Sequence, residues 1–151
     1  MSFKNILCFG TLNPDLIYFV DELPNKGDDI RSLKSSIRPG GTAINCSELI
    51  SLWDKSVHVR GNSIGSDPMG KYLVDYLKEN NINFDGLIIN HSLTPTCSIF
   101  VDSSGERTII SSGYEGLEWS NFENLNNFDS LIIDRYSIKF IKDKLKDLKK
   151  Q

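Results

Sequence analysis

Short apolar runs that alternate with segments of helical periodicity constrain the fold of this chain more than any other feature. The first run, Ile6-Leu7-Cys8-Phe9, is apolar throughout, which is typical of a strand buried on both faces. Further strand-like runs are found at 16–20, 30–37, 56–60, 87–89, 97–101, 108–110 and 130–133. Strands that alternate with helices indicate βαβ units. We therefore predict an α/β domain with a mainly parallel sheet flanked by helices.

Three segments have the spacing of an amphipathic helix. The first is predicted at 41–53, and its apolar stripe consists of Cys46, Leu49, Ile50 and Trp53. The second, at 67–80, begins with Asp67-Pro68, a favourable N-cap followed by a proline in the first turn. The third, at 138–150, has lysines in its last turns, where the helix dipole favours positive charge, and we interpret them as a solvated face.

A small β lid is predicted beside the sheet, formed by approximately residues 15–37 and 96–110. The turn Asp102-Ser103-Ser104-Gly105 separates two strand-like runs and indicates a hairpin. The run at 30–37 alternates only loosely, which favours a strand with one face in water. Because the sequence contains no repeat, low-complexity tract or linker, we interpret residues 1–151 as a single domain.

Charge and hydropathy exclude two classes of partner. The net charge of −3 argues against nucleic acid, because a nucleic-acid binder needs a concentrated cationic face. No apolar run approaches the length of a membrane span, and Met1–Lys4 does not lead into a signal-peptide core. We therefore expect no membrane partner and a cytoplasmic location.

The cysteines and histidines do not indicate a metal or catalytic site. Cys8, Cys46 and Cys97 are odd in number and lack the paired spacing of zinc ligands, so we interpret them as small, buried or half-buried thiols. His58 and His91 have no metal-ligand spacing either. The sequence thus assigns no metal ligand and no catalytic residue.

Two loops carry candidate binding residues. In the first, 10–15, Asn13 and Asp15 supply an amide and a carboxylate beyond the end of the first strand, where open α/β sheets bind ligands. A carboxylate can accept two hydrogen bonds from neighbouring hydroxyls, as polyol recognition requires. The alternative is simple turn formation, because Asn-Pro-Asp is a common turn tripeptide.

The second loop contains Gly40 and Gly41 at the start of the first predicted helix. Two glycines let the backbone approach a ligand closely, and free amides at a helix N-terminus donate to ligand oxygens. Asn45, one turn into the helix, can point toward the same pocket. The alternative is that Gly-Gly only forms a tight strand-to-helix turn. The loop is neither a P-loop nor a dinucleotide fingerprint.

These motifs together resemble the ribokinase-like (PfkB-type) carbohydrate kinases. The resemblance runs from 6 to 134 through five landmarks in the family's order: Gly10-Thr11-Leu12-Asn13-Pro14-Asp15, Asp21-Glu22-Leu23-Pro24, Gly40-Gly41-Thr42-Ala43-Ile44-Asn45, Gly65-Ser66-Asp67-Pro68-Met69-Gly70, and the hairpin 94–109. The segments 4–8 and 29–33 resemble the ketohexokinase-like branch of this family.

The resemblance implies a partial ribokinase-like fold in which Asn13 and Asp15 hold sugar hydroxyls, and Gly40, Gly41 and Asn45 close round the same sugar. Thr42 and Ala43 depart from the lysine or asparagine and the glycine often found there, which leaves the sugar's identity open. Asp134 and Arg135 follow a predicted strand and are candidates to border the pocket.

The resemblance also implies ATP and Mg²⁺, which the family binds through a Gly-Ala-Gly-Asp helix start in its second half. No such string occurs here. We therefore expect a truncated, N-terminal, substrate-binding half that does not catalyse alone, and whose partners are a sugar and either a complementary C-terminal half or further copies of itself. The alternatives are a non-catalytic sugar-binding module and a decayed fragment.

Overall fold

A computed structural model of the chain describes residues 4–53 and 55–142. Its strands are β1 Asn5–Gly10, β2 Asn13–Phe19, β3 Lys34–Gly40, β4 Ser56–Gly61, β5 Ile64–Gly65, β6 Ile89–Asn90, β7 Thr96–Val101, β8 Arg107–Ser112 and β9 Ser130–Ile133. Its helices are α1 Thr42–Ser51, α2 Pro68–Glu79, the short 3-10 helix Leu125–Asn127, and α3, whose described part is 138–142. The α/β class and the alternation of strands and helices are confirmed.

The central sheet has the order β4-β1-β9, and all three strands are parallel. Cys8 on β1 faces the core formed with α1 and α2, whereas Leu7 and Phe9 face a second cluster that includes Phe122 and Ile141. Both faces of β1 are therefore covered, which explains why its sequence is a continuous apolar run rather than an alternating one.

Helix α1 packs on the sheet through a different face from the one predicted. Its buried residues are Ala43, Ile44, Ser47 and Ile50. Leu49 is 54% exposed and Trp53 is 62% exposed, so these two members of the predicted stripe are wrong. Ile50 is buried, and Cys46 is half-buried against the core, as predicted. The small residues Ala43 and Ser47 allow the helix to approach the sheet closely, and Ser47 satisfies its hydroxyl by donating to the Ile44 carbonyl oxygen at 2.8 Å. Local spacing does not distinguish this face from the more apolar one.

Helix α2 begins as its sequence predicts. The Asp67 carboxylate accepts a hydrogen bond from the Gly70 amide at 2.8 Å, and Leu73 and Leu77 are fully buried. In α3, Ile141 is 1% exposed and lies in the second cluster. The remainder of the third predicted helix, 143–150, lies outside the described residues.

The second sheet, which we call the lid sheet, has the order β3-β2-β7-β8. Strands β2 and β7 are parallel, and the other two pairs are antiparallel. The hairpin β7–β8 is confirmed, but the strand predicted at 30–37 lies three to four residues further along, at Lys34–Gly40. Asn13-Pro14-Asp15 opens β2 and does not form a turn, because these residues pair with Arg38, Pro39 and Gly40 of β3.

The region between the two sheets is short. Only Thr11 and Leu12 connect β1 to β2, so the first strand of the central sheet leads almost directly into the lid sheet. The connection at 11–12 therefore places the start of the lid sheet at the carboxyl edge of the central sheet.

Within the described residues, no helix is both long and apolar enough to cross a membrane.

Candidate functional site

A concavity of about 1070 Å³ lies at the carboxyl edge of the central sheet, and we call it the site concavity. The lining residues near β1, β2 and α1 are Thr11, Asn13, Asp15, Gly41, Thr42 and Asn45. Four of the five predicted site residues therefore line one concavity, and Gly40 lies directly beside Asp15. The opposite wall comes from β7, β8 and the loop after β8, including Cys97, Arg107 and Tyr114.

The loop at 11–12 is fixed from both neighbouring strands. Asp134, which follows β9, accepts hydrogen bonds from the Thr11 amide at 2.7 Å and from the Thr11 hydroxyl at 3.0 Å. Asn62, which follows β4, accepts from the Leu12 amide at 2.8 Å and donates to the Leu12 carbonyl oxygen at 3.0 Å. Because both side chains are buried, this loop holds the start of β2 in one position.

Asp15 is the partly buried carboxylate of the site. Its Oδ1 accepts a hydrogen bond from Asn13 Nδ2 at 2.6 Å. Burial raises the pKa of Asp15, and the hydrogen bond from Asn13 partly offsets this rise. Among the described residues no donor meets Oδ2, so this oxygen can still accept a hydrogen bond.

Asn13 is 2% exposed, and its side chain is already engaged by the protein. Its amide nitrogen donates to Asp15 and, at 3.3 Å, to the Pro14 carbonyl oxygen. Its Oδ1 accepts from the Tyr114 hydroxyl at 2.8 Å. Asn45 differs, because within the described part of the chain its side-chain amide has no partner, and it lines the concavity. Of the three polar side chains predicted for the site, Asp15 and Asn45 thus keep capacity for a ligand, whereas that of Asn13 is used within the protein.

The two glycines serve different geometric purposes. A Cβ added at Gly40 would overlap the Asp15 carboxylate, at 2.6 Å from Oδ1. Gly41 has φ of +85°, and a Cβ there would overlap the backbone of Thr11, at 2.6 Å from its carbonyl carbon. Gly40 therefore makes room for a side chain of the site, whereas Gly41 makes room for the loop.

Several amides at or just before the helix N-termini are paired with other groups of the described residues. The first amides of α1, on Thr42 and Ala43, donate to the Thr11 hydroxyl at 3.2 Å and to its carbonyl oxygen at 3.1 Å. The expectation that they are free to bind a ligand is therefore wrong. The Gly70 amide of α2 bonds to Asp67, and before α3 the amides of Tyr136 and Ser137 bond to Asp134.

Sequence reasoning missed Asn62 and Tyr114 and left Asp134 as a candidate for the pocket border. Tyr114 reaches Asn13 across 101 residues of sequence, and no local motif signals that contact. Asp134 anchors the loop at 11–12 instead of lining the concavity. Within 4–53 and 55–142, no group of three or more His, Cys, Asp or Glu side chains is arranged to hold a metal ion.

The sequence profile of the pfkB family carbohydrate kinases matches residues 4–148. The chain belongs to this family. Ribokinase of Dictyostelium discoideum is 29% identical over 108 residues, which are 71% of this chain and 34% of that protein. Ketohexokinase of Mus musculus is 30% identical over 112 residues, which are 73% of this chain and 37% of that protein. The matched part of this pfkB-family chain therefore spans about a third of the length of either relative.

The fold agrees with that of solved members. Ribokinase of Arabidopsis thaliana, solved with ribose and ATP, superposes with a TM-score of 0.72 at 19% identity. The superposition covers 89% of this chain and 46% of that one. The pfkB-family chain thus has part of the ribokinase-like fold, as its motifs predict.

Proposed function

We propose that this chain is the substrate-binding half of an ATP-dependent carbohydrate kinase, which transfers a phosphoryl group from ATP to a sugar hydroxyl. The sugar binds in the site concavity, where Asp15 Oδ2 and the Asn45 side-chain amide meet its hydroxyls. One observation carries the proposal: a partly buried carboxylate is held on one oxygen by Asn13 and has its other oxygen free at the wall of a concavity.

The chemistry of these two groups suits a polyol. An ionised carboxylate accepts hydrogen bonds only, and a side-chain amide both donates and accepts. A sugar presents neighbouring hydroxyls that can do either, so Asp15 accepts from one while Asn45 pairs with another. Gly40 keeps the Asp15 carboxylate close to the strand, and Gly41 lets the loop at 11–12 pass beside it. The ribose in the Arabidopsis thaliana ribokinase structure is consistent with a sugar as the ligand.

We propose that ATP and Mg²⁺ are held mainly by residues outside the described part of the chain. The arrangement of the helices supports this division, because an anion bound at a helix N-terminus needs free backbone amides. The amides of Thr42 and Ala43 in α1 are already paired with Thr11. The Gly70 amide in α2 is paired with Asp67, and the Ser137 amide before α3 is paired with Asp134. These helix starts therefore do not fit the phosphates of a nucleotide, and we assign this chain no catalytic residue.

The partner that completes the kinase is proposed to dock at β9. This strand is the outer strand of the central sheet, and within the described residues it pairs only with β1. Its residues are half-buried, so one edge and parts of both faces are available. Unpaired strand edges favour the addition of another strand. A complementary C-terminal half, or a second copy of this chain, would extend the sheet there.

Titration calorimetry with D-ribose and D-fructose tests sugar binding. We expect Asp15→Ala to weaken binding by about 1–3 kcal/mol, because a sugar hydroxyl loses its acceptor. Asp75→Ala is the matched control, since Asp75 is an exposed α2 residue whose surface ion pair with Lys71 contributes little. Absence of binding to every sugar tested, or equal affinities of wild type and Asp15→Ala, would contradict the proposal.

A non-catalytic sugar-binding module is the second candidate, because Asp15 and Asn45 line one concavity. A coupled assay for ADP release separates these functions. For the half-kinase we expect no sugar-dependent ADP release from the isolated chain and measurable release after addition of a complementary C-terminal fragment. Sugar binding that no such fragment converts into activity would favour the binding module. Activity of the isolated chain would show that a nucleotide site is present in it.

A further inference from the structure

A short series of hydrogen bonds leads from Tyr114, in the loop after β8, to the carboxylate of Asp15 in β2. The Tyr114 hydroxyl donates to Asn13 Oδ1 at 2.8 Å, and Asn13 Nδ2 donates to Asp15 Oδ1 at 2.6 Å. The Cys97 sulfur lies 3.7 Å from the Tyr114 oxygen. Because the tyrosine hydrogen is used toward Asn13, the thiol is left to donate to the Tyr114 oxygen. We call Tyr114, Asn13 and Asp15 the relay.

The direction of the relay follows from which groups can donate. The neighbours of Asn13 Nδ2 are the Asp15 carboxylate and the Pro14 carbonyl oxygen, and both only accept hydrogen bonds. If the amide were flipped, its oxygen would face these two oxygens. In the observed orientation that oxygen needs a donor, and Tyr114 supplies one. Water is a poor substitute, because Asn13 is 2% exposed.

Tyr114 is suited to remain a donor. Burial is the main cause that raises the pKa of the Tyr114 hydroxyl, and the interaction of this hydroxyl with Cys97 raises the pKa further. The hydroxyl therefore stays protonated at neutral pH. A buried acceptor without a donor destabilises the folded state by about the free energy of its desolvation. The Tyr114 hydroxyl therefore favours the amide orientation in which Asn13 Oδ1 faces it.

We infer that Tyr114 is a positioning residue of the sugar site: its hydroxyl fixes the orientation of the Asn13 amide, and that amide holds the Asp15 carboxylate for the substrate. This inference rests on the proposed function and deepens it. Tyr114 acts through Asn13 and does not need to touch the sugar. It also couples the loop after β8 to the first residues of β2, so the opposite wall of the site concavity helps to hold Asp15.

The test uses Tyr114→Phe, which removes the hydroxyl and keeps the ring. We expect the dissociation constant for D-ribose or D-fructose, whichever the wild type binds more tightly, to rise about tenfold. Tyr18→Phe is the matched control, because Tyr18 is likewise half-buried and its ring stacks on Phe100 at 5.4 Å, outside the concavity. The control variant should bind as the wild type does.

A double variant separates positioning from direct contact. Because Tyr114 acts through Asn13, Tyr114→Phe should add no further loss of affinity when Asn13→Ala is already present. Independent contacts to the sugar would instead give losses that add. Additive losses would therefore overturn the inference.

A measurement without sugar keeps the inference testable if the proposed function fails. The hydrogen bond from Asn13 lowers the pKa of Asp15. In the free chain, Tyr114→Phe should therefore raise the Asp15 pKa, followed by the carboxyl ¹³C shift, and should move the Asn13 side-chain amide resonances. Unchanged values for both would overturn the inference. A shifted Asp15 pKa in a chain that binds no sugar would support the relay while contradicting the sugar site.

Discussion

The Asp15 carboxylate occupies the space that a Cβ at residue 40 would need, although Gly40 pairs with Asn13 in the β2–β3 ladder. A Cβ at residue 40 would stand 2.6 Å from Asp15 Oδ1, which is closer than two such atoms can approach. Gly40 shows no positive φ, so its backbone conformation is open to alanine. The absence of a side chain at 40 is therefore a requirement of the site and not of the strand.

Gly40→Ala is expected to weaken sugar binding more than it weakens the fold. The new methyl group displaces the Asp15 carboxylate and separates it from Asn13, and we expect a loss of affinity of about tenfold, or ~1.4 kcal/mol. Calorimetry measures the sugar affinity, and urea unfolding of the same preparation measures the stability of the fold. Ser35→Ala, at an exposed position of β3, should change neither. A variant with lower stability and intact affinity would contradict this prediction.

Gly41→Ala is expected to destabilise the fold more than Gly105→Ala does. The φ angle is +85° at Gly41 and +86° at Gly105, so an alanine meets similar backbone strain at each. Gly105 has no atom within 4 Å of an added Cβ, whereas Gly41 has the Thr11 backbone in the way. We expect losses of about 1 kcal/mol at 105 and about 2–4 kcal/mol at 41. Equal losses in urea unfolding would show that the Thr11 contact does not matter.

Asp15→Asn is expected to stabilise the fold at neutral pH while weakening sugar binding. Burial raises the pKa of Asp15, so the folded chain binds more protons than the unfolded chain between the two pKa values. The wild-type free energy of unfolding therefore falls as the pH rises through that window. The advantage of the variant should be largest at pH 7 and should shrink as the pH falls toward 4. Asp75→Asn serves as control, and an advantage independent of pH would contradict the argument.

Cys97 is expected to be the first of the three thiols to be alkylated. It lines the site concavity and is partly exposed. Burial, with the nearby Cys46, raises the pKa of Cys8 to about 12, and burial also raises that of Cys46. Only a thiolate reacts rapidly, so both should label slowly at pH 8. Iodoacetamide labelling followed by peptide mass spectrometry measures the order, and bound sugar should slow labelling at Cys97. Faster labelling of Cys46 would contradict this assignment.

Several elements could be predicted because their signals are local. The apolar run of β1, the Asp67 cap of α2 and the turn between β7 and β8 each depend on residues within a few positions of one another. The prediction that Asp15, Gly41 and Asn45 line one concavity succeeded for a related reason. The segment of Asp15 follows β1, whose end lies at the carboxyl edge of the parallel central sheet. Gly41 and Asn45 instead follow β3, which reaches the concavity because it pairs with β2.

Other features could not be predicted, because they depend on what lies opposite in space. Asn13-Pro14-Asp15 has the composition of a turn, yet its pairing with β3 makes it a strand. The buried face of α1 is set by how closely the helix must approach the sheet, so Ala43 and Ser47 lie inside while Trp53 does not.

The alternation of elements, the family and the candidate residues of the proposed sugar site could all be predicted from the sequence, since they depend on residue type and order. The way in which these residues are held depends instead on the tertiary structure. Asn62, Tyr114 and Asp134 reach residues 11–13 from at least 50 positions away. Hydrogen bonds of this kind form only when folding brings distant donors and acceptors within about 3 Å of each other in the protein interior. A local sequence pattern therefore cannot predict them.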